Sequence, residues 1–258
     1  MKKNNLIGKI HRYYKKYYKD TLGLPNWSED YKWRFKEEEF AKRKISQIKS
    51  YLGDFSKKKV LDVGCGTGGF IVVASQLGAK AWGIDPDKEA IAICELKAKT
   101  FNLRSADFKI AQAEILPFAN NFFDIVYCYT VLEHVDDVKK ALIEMVRVAK
   151  PGGLIYIEAP NYLACFEGHY KVFWLPLFPK KLAKIYLKAR RRPIKFLDTI
   201  NYLTPREIGR YLKELPVIVE SIKHCDLRTK GIFHYPLLFI YHLFNVDPQI
   251  ELIIRKNS

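Results

Sequence analysis

The ten residues VLDVGCGTGG, from Val60 to Gly69, restrict the possible folds more than any other stretch of this chain. Four glycines fall within the six residues that follow a short apolar, β-branched run. A glycine in a structured region costs about 0.5–1 kcal/mol relative to alanine. So much bare backbone predicts either a tight turn or a loop that must lie close to a ligand. The carboxylate of Asp62 lies two residues before the first glycine.

Segments with the length and pattern of strands alternate with segments of helical periodicity on both sides of this loop. Strand-like runs end at the glycine loop and recur at 79–85, 108–114, 123–130 and 154–159, with helices predicted at 70–77, 87–96 and 136–149. The alternation predicts an α/β fold with a parallel sheet and right-handed crossovers. It stops at Pro160. A capping box at Thr204 then predicts a helix to about residue 215, and two last strands are predicted at 216–222 and 249–255.

This pattern divides the chain into four parts. We predict a basic helical extension at 1–50, a ligand-binding core at 51–160, a basic and aromatic lid insertion at 161–203, and the end of the core sheet with a terminal strand pair at 204–258.

The net charge of +16 favours polyanionic partners. Residues 180–195 contain eight Lys or Arg and no acid, and residues 9–19 interleave bases with tyrosines. Both clusters suit an anionic membrane or nucleic acid, and a solvated basic surface is the alternative. Five scattered cysteines without a CxxC pair predict a reducing compartment. No signal peptide is recognised, and the longest charge-free run, 231–246, is shorter than the ~20 residues of a membrane span. We therefore expect a cytoplasmic protein, with peripheral contact at the inner membrane face as an option.

Six separated motifs between about 40 and 160 resemble the class I S-adenosylmethionine-dependent methyltransferases, especially the branch with ubiquinone-biosynthesis enzymes. They are VLDVGCGTG at 60–68, GIDP at 83–86, AEILPF at 113–118, FD at 123–124, VLEHV at 131–135 and RVAKPGG at 147–153. The resemblance implies a Rossmann-like sheet of seven strands, mostly parallel with an antiparallel last strand, and helices on both faces. It also implies S-adenosylmethionine as cofactor.

By the same resemblance, Asp62 faces the amino end of the methionine moiety, and Asp85 accepts hydrogen bonds from both ribose hydroxyls. Gln112 stands where the family usually has an acid for the adenine amino group, and Glu114 is either a ligand or a solvated edge residue. The implied cofactor-binding residues are Asp62, Val63, Gly64, Cys65, Gly66, Gly68, Asp85, Pro86, Gln112, Ala113, Glu114, Tyr129 and Thr130.

Two histidines are candidate catalytic bases, since an oxygen or nitrogen acceptor must lose a proton. His134 follows the fourth strand, where its alternative role is to shape the pocket. His169 lies in the lid, where Glu167 can orient it, and a surface histidine is the alternative. In the ubiquinone branch, acids together with this Glu-His pair can hold a metal. Thr130 occupies the earlier acidic position here, so we predict no metal.

The resulting hypothesis is methyl transfer to a small-molecule or lipid- or sugar-linked acceptor, at oxygen. An RNA or tRNA methyltransferase is the first alternative, although no NPPY-like tetrapeptide follows the fourth strand. A non-catalytic nucleotide-binding module is the second, because Gly64, Gly66 and Gly69 also satisfy GxGxxG. The acceptor's identity and the oligomeric state stay open.

Overall fold

The computed structural model describes residues 2–224 and 248–258. The charge-free segment at 231–246 therefore lies outside the described residues. Among those described, no helix combines the length and apolar character needed to cross a bilayer.

A seven-stranded sheet forms the centre of the described structure. Strands occur at β1 (Lys59–Val63), β2 (Lys80–Asp85), β3 (Ala106–Ile110), β4 (Phe123–Tyr129), β5 (Ala149–Pro160), β6 (Phe166–Glu167), β7 (Val172–Phe173), β8 (Val217–His224) and β9 (Gln249–Lys256). The large sheet has the order β3-β2-β1-β4-β5-β9-β8, and β6 and β7 form a separate hairpin. Strands β1 to β5 are mutually parallel, whereas β9 runs antiparallel to both its neighbours. The predicted fold class is confirmed.

Helices precede, connect and follow the strands. They are α1 (Lys2–Lys15), continued by a π-helical segment (Lys16–Thr21), α2 (Trp27–Asp30), α3 (Glu37–Leu52), α4 (Gly69–Gln76), α5 (Lys88–Thr100), α6 (Val138–Val148), α7 (Lys180–Ala189) and α8 (Pro205–Leu212). In the described ranges, 3₁₀ segments occur at Lys32–Lys36, Leu132–His134 and Lys195–Thr199.

Both faces of the sheet are covered, and this explains the apolar strands. On one face α3, α4 and α5 pack on alternate strand residues such as Val60 and Ile125. On the other face α6 and α8 pack on Leu61 and Val126. Because adjacent strand residues point to opposite faces, strands buried on both sides read as nearly continuous apolar runs.

The basic extension is held to the core by its tyrosines. Tyr14 and Tyr18 are buried together with Ile10 and Leu22, and this cluster includes Ile93 of α5. The lid has a small core of its own, in which Trp174 is 1% exposed and packs with Tyr170 and Leu187.

Two predicted strand boundaries are wrong. Strand β3 ends at Ile110 rather than at 114, so Gln112 and Glu114 lie in the following loop. Strand β5 begins at Ala149 rather than at Leu154, because Ala149 pairs with Phe123 before an irregularity in the register. The Pro-Gly-Gly sequence therefore lies inside the strand, and no sequence signal separates this arrangement from an ordinary turn.

Candidate active site

Two adjoining cavities open at the carboxyl ends of the parallel strands, where open α/β sheets bind ligands. The larger has a volume of about 890 Å³ and the smaller of about 190 Å³. Their walls share residues from the basic extension, the glycine loop and the end of β4: Tyr13, Tyr17, Arg34, Gly64, Tyr129 and Thr130. The cavities therefore form one continuous cleft.

One glycine of the loop is required by close packing, and another lies beside open space. Gly64 has φ +71°, and an added Cβ there would lie 2.2 Å from Cγ2 of Val131. Gly66 has φ +50°, but an added Cβ would meet no atom of residues 2–224 or 248–258 within 4 Å. Because Gly66 also lines the smaller cavity, its bare backbone faces the cleft.

Asp62 contributes a buried carboxylate to the smaller cavity. Burial raises the pKa of this carboxyl well above its usual value, and the charges of Asp85 and Glu37 raise it further. A desolvated anion of this kind is stabilised by a cationic ligand group.

Asp85, at the end of β2, binds the loop to the next helix. Its Oδ2 accepts a hydrogen bond from the Gly66 N–H at 2.9 Å, and its Oδ1 accepts one from the Asp87 N–H at 2.9 Å. Burial raises the pKa of Asp85, while these two N–H groups oppose the rise. Each carboxylate oxygen keeps further acceptor capacity for a ligand hydroxyl. Pro86 lines the larger cavity beside it.

The loop after β3 forms another wall of the larger cavity with Gln112, Ala113 and Glu114. Glu114 is 8% exposed, and its Oε1 accepts hydrogen bonds from the backbone N–H groups of Asp136 and Asp137 at 2.7 and 3.3 Å. The interpretation of Glu114 as a solvated edge residue is therefore wrong. Its carboxylate joins this loop to the segment before α6.

Two of the predicted cofactor residues do not reach the cavity walls. Val63 is fully buried in the main core. Gly68 starts α4 with φ +83°, and an added Cβ would lie 2.9 Å from Sγ of Cys94. Cys65, by contrast, lines the smaller cavity.

Sequence reasoning missed the contribution of the basic extension. Tyr13, Tyr17 and Arg34 line both cavities. The Arg34 guanidinium lies 4.7 Å from the ring centre of Tyr14, and its Nε donates a hydrogen bond to the Tyr18 hydroxyl at 3.2 Å. The tyrosine pairs at helical spacing were a usable signal, but they indicated only an aromatic surface.

The two candidate bases, which are far apart in sequence, meet at the larger cavity. Their rings are 5.0 Å apart, and both line the cavity. His169 Nδ1 lies 2.7 Å from Oε1 of Glu167, so the pair converges across a turn of only two residues. Glu133 lies between them, fully buried, with its Oε1 3.9 Å from Nε2 of His134 and 4.0 Å from Nε2 of His169.

The three groups affect one another's protonation. Burial raises the pKa of Glu133 to about 7, against the opposing effect of His169. Burial alone would lower the pKa of His169, but the hydrogen bond and charge of Glu167 and the charge of Glu133 raise it above its usual value. Partial burial and the neighbouring His169 lower the pKa of His134.

The lid is attached directly to the turn that carries Glu133 and His134. The Asn201 N–H donates to the Glu133 carbonyl at 2.7 Å, and the Asn201 side-chain amide donates to the Val135 carbonyl at 2.6 Å. Phe196 contacts both imidazoles, with ring centres 5.7 Å from His134 and 5.4 Å from His169. The lid thus fixes both the hairpin histidine and the turn beneath it.

Comparison with known proteins decides the family. Residues 61–157 match the family model described as a methyltransferase domain. The chain is 36% identical over 207 residues to the ubiquinone biosynthesis O-methyltransferase of Rhizobium leguminosarum bv. trifolii, covering 78% of this chain and 72% of that protein. The chain belongs to the S-adenosylmethionine-dependent methyltransferases. Its methyl donor is therefore S-adenosylmethionine.

Two further proteins are similar to this methyltransferase. The match to the ubiquinone biosynthesis O-methyltransferase of Rhizobium etli has 36% identity over 124 residues and spans 50% of that protein. An S-adenosylmethionine-dependent methyltransferase from Mesorhizobium loti superposes with a TM-score of 0.60 at 15% identity, over 82% of this chain and 96% of that one. The second likeness is evidence for the fold alone.

The residues of the cleft fit S-adenosylmethionine on structural grounds. Gly66 provides main chain beside open space that a Cβ would fill. Asp62 provides a buried carboxylate for a cationic amino group, and Asp85 lies within the same cleft.

The active site of this methyltransferase has enough ligand atoms for a divalent cation, whereas the sequence alone indicated only Glu133 and His134. His169 supplies a third ligand atom, and the three atoms lie within 4.8 Å of one another. Within the part of the chain that the structure describes, both Glu133 carboxylate oxygens are buried without a hydrogen-bond partner. Two imidazoles and one carboxylate form a donor set that suits zinc, and Glu167 would orient His169 from behind.

Proposed function

We propose that this methyltransferase transfers a methyl group to a hydroxyl oxygen of an apolar small-molecule or lipid-linked acceptor, with His169 as the base. The observation that carries the proposal is the His169–Glu167 pair, 2.7 Å apart, at a cavity of about 890 Å³ that adjoins the glycine loop.

The cofactor-binding residues would hold S-adenosylmethionine in an orientation that spans both cavities. Asp62 would bind the amino group of the methionine end in the smaller cavity, where its carboxylate is desolvated. Asp85 would accept from the ribose hydroxyls, and Gln112 and Ala113 would contact the adenine. Tyr129 and Thr130 border both cavities and would line the path between donor and acceptor.

Glu167 would hold the His169 ring so that Nδ1–H faces the carboxylate and Nε2 accepts the hydroxyl proton. Bound S-adenosylmethionine supplies an electrophilic methyl group on a sulfonium whose sulfur keeps the C–S bonding electrons. The acceptor oxygen forms the new O–C bond as His169 takes its proton. The main effect of the cleft is alignment, which can supply about 7–11 kcal/mol.

Glu133, His134 and His169 would be the residues to hold a divalent cation, and His169 would then be a ligand in place of a base. Such an ion would supply Lewis-acid chemistry, lowering the pKa of an acceptor hydroxyl.

The wall of the larger cavity supports an apolar acceptor. Leu22, Val131, Val135, Pro160 and Phe166 contribute apolar surface to it. The names of the relatives, ubiquinone biosynthesis O-methyltransferases, support oxygen as the methylated atom and a hydroxylated, quinone-like ring as the acceptor class.

An RNA acceptor is less well supported. Stacking on bases requires exposed aromatic rings. Tyr14 and Tyr18 of the basic extension are instead 3% and 7% exposed, and Tyr13 and Tyr17 line the cleft. The interleaved bases and tyrosines therefore lack the exposed rings of a single-strand binding surface.

A hydrophobic acceptor would be stored in a bilayer. The proposed function accordingly includes peripheral contact with the inner membrane face, and a partner of this kind suits the net charge of +16.

The test is methyl transfer from labelled S-adenosylmethionine to hydroxylated aromatic lipids, a lipid extract, glycan precursors and RNA. We expect label in an ether-linked lipid or small molecule. His169→Ala should lower turnover at least about 100-fold while calorimetry shows unchanged donor affinity. Label in RNA alone, or equal turnover by the variant, would contradict the proposal.

A further inference from the structure

We propose that the outer face of the lid docks this protein on an anionic lipid bilayer, so that the entrance of the acceptor cavity faces the bilayer. The inference rests on the proposed function only for what enters the cavity, since the docking itself is a property of the surface. The lid surface is defined here as the exposed apolar and basic side chains of residues 166–195.

Exposed large apolar side chains are concentrated in the lid. Within the twenty residues from 166 to 185 they are Phe166, Phe173, Leu175, Leu177, Leu182 and Ile185, between 44% and 65% exposed. The rest of the described chain contributes nine such residues, spread from Ile7 to Val219. Isolated exposed apolar residues are ordinary, whereas a cluster indicates an interaction surface.

Helix α7 packs one apolar face against the lid core and exposes a second apolar stripe to solvent. Ala183 and Leu187 are fully buried in the lid core. Leu182 and Ile185 are 54% and 65% exposed, and their i, i+3 spacing places them on one face. Lys181 and Lys188, seven residues apart, flank that stripe and are exposed.

Bases surround the apolar stripe, and acids are few. Residues 180–195 contain eight Lys or Arg and no Asp or Glu. Two of the eight have partners within the lid, as Lys184 pairs with Asp198 and the Lys180 ammonium donates to the Ile200 carbonyl. Arg192 donates to the Gly23 carbonyl of the basic extension. The other five, Lys181, Lys188, Arg190, Arg191 and Lys195, have no ion pair among the described residues. Exposed aliphatic side chains flanked by bases match the interface of an anionic membrane.

The lid surface continues into the active-site cavity. Phe166 and Phe173 are paired across the β6–β7 hairpin and are both exposed. Phe166 also lines the larger cavity, as does His169 three residues later. A bilayer against this hairpin would therefore meet the cavity entrance, and an apolar acceptor would pass to the candidate base without crossing water.

The experiment is cosedimentation of the full chain with phosphatidylcholine vesicles, with and without phosphatidylglycerol. We expect binding only to the anionic vesicles, and weaker binding as salt increases. Leu182→Ser/Ile185→Ser and, separately, Lys181→Glu/Lys188→Glu should each reduce partitioning at least about tenfold. The matched control is Lys42→Glu/Lys49→Glu, which reverses two exposed lysines at the same spacing on α3 and should bind like the wild type. Circular dichroism checks that each variant is folded.

Three results would overturn the docking surface. One is no sedimentation of the wild type with anionic vesicles at low salt. Another is equal loss in the α7 and α3 charge variants, which would assign binding to the net charge. A third is single-stranded RNA binding that depends on Lys181 and Lys188 while vesicle binding does not. Methyl transfer to a detergent-dissolved acceptor distinguishes the proposals: if it persists without vesicle binding, only the docking surface fails, and if vesicles bind but no hydroxylated lipid is methylated, only the proposed function fails.

Discussion

The backbone of Gly64 lies against Val131 so closely that a Cβ on the glycine would come 2.2 Å from Cγ2 of the valine. Two residues later, Gly66 faces open space. The same loop therefore contains a glycine required by packing and a glycine that leaves room for a ligand.

We expect Gly64→Ala and Gly66→Ala to fail in different ways. Gly64→Ala should lower the free energy of unfolding by at least about 2 kcal/mol, because it combines a positive φ with a clash against a buried turn. Gly66→Ala should be destabilised by only about 1 kcal/mol, yet bind S-adenosylmethionine at least about tenfold more weakly. Denaturant unfolding and calorimetry measure the two effects. Equal donor affinity in wild type and Gly66→Ala would show that the cofactor lies elsewhere.

Asp62→Asn tests whether the Asp62 carboxylate binds the amino group of S-adenosylmethionine. Losing a charged hydrogen bond of about 1.5–3 kcal/mol should weaken donor binding about 10–100-fold. The fold should tolerate the change, since burial already disfavours the ionised carboxylate. Asp107→Asn, an exposed aspartate on β3, is the control and should bind normally. Unchanged calorimetry for Asp62→Asn would remove this carboxylate from the cofactor site.

Glu167→Gln tests whether this carboxylate orients His169. The amide keeps the shape of Glu167 but loses the charge that raises the pKa of His169, so we expect turnover to fall about 10–100-fold with donor affinity retained. Glu214→Gln, at an exposed salt bridge with Lys139, should leave turnover unchanged. If both variants have wild-type turnover, the pair has no part in proton removal.

Removal of metal tests the cluster of Glu133, His134 and His169. We expect the chelator-treated enzyme to retain turnover, since His169 and Glu167 can accept the proton without an ion. Metal analysis before and after chelation, with Zn²⁺ and Mg²⁺ added back, provides the measurement. Turnover that is lost on chelation and restored by one ion would make His169 a ligand instead of a base.

Glu144 should contribute to the acid limb of stability. The hydrogen bonds from Arg147 lower the pKa of Glu144, against partial burial, and the Leu116 N–H lowers it further. A depressed pKa in the folded state stabilises the fold above the unfolded value of about 4.3, and that stability is lost as pH falls through the folded pKa. Thermal midpoints of wild type and Glu144→Gln should therefore differ near neutral pH and converge in acid. The exposed Glu95→Gln is the control, and a constant gap at all pH values would contradict this account.

The candidate site could be predicted from sequence only where it is local. Asp62, Gly66 and Asp85 lie at the ends of adjacent parallel strands, so strand order alone brings them together. His134 and His169 are separated by α6, β5 and part of the lid, and no periodicity indicated that Phe196 and Asn201 would hold them side by side. The wall formed by Tyr13, Tyr17 and Arg34 depends on how the basic extension packs against α5, which is likewise a long-range contact.

The amino-acid sequence by itself determined the alternating strands and helices, the glycine loop and the carboxylates beside it. These features follow from short-range preferences: side-chain periodicity, bare backbone and turn chemistry. Only the tertiary structure decided that Glu114 is buried, that the tyrosines of the extension form a wall, and that Glu133 lies between two imidazoles. Those outcomes depend on which surfaces, distant in the sequence, pack together and exclude water. Local sequence patterns do not specify that packing.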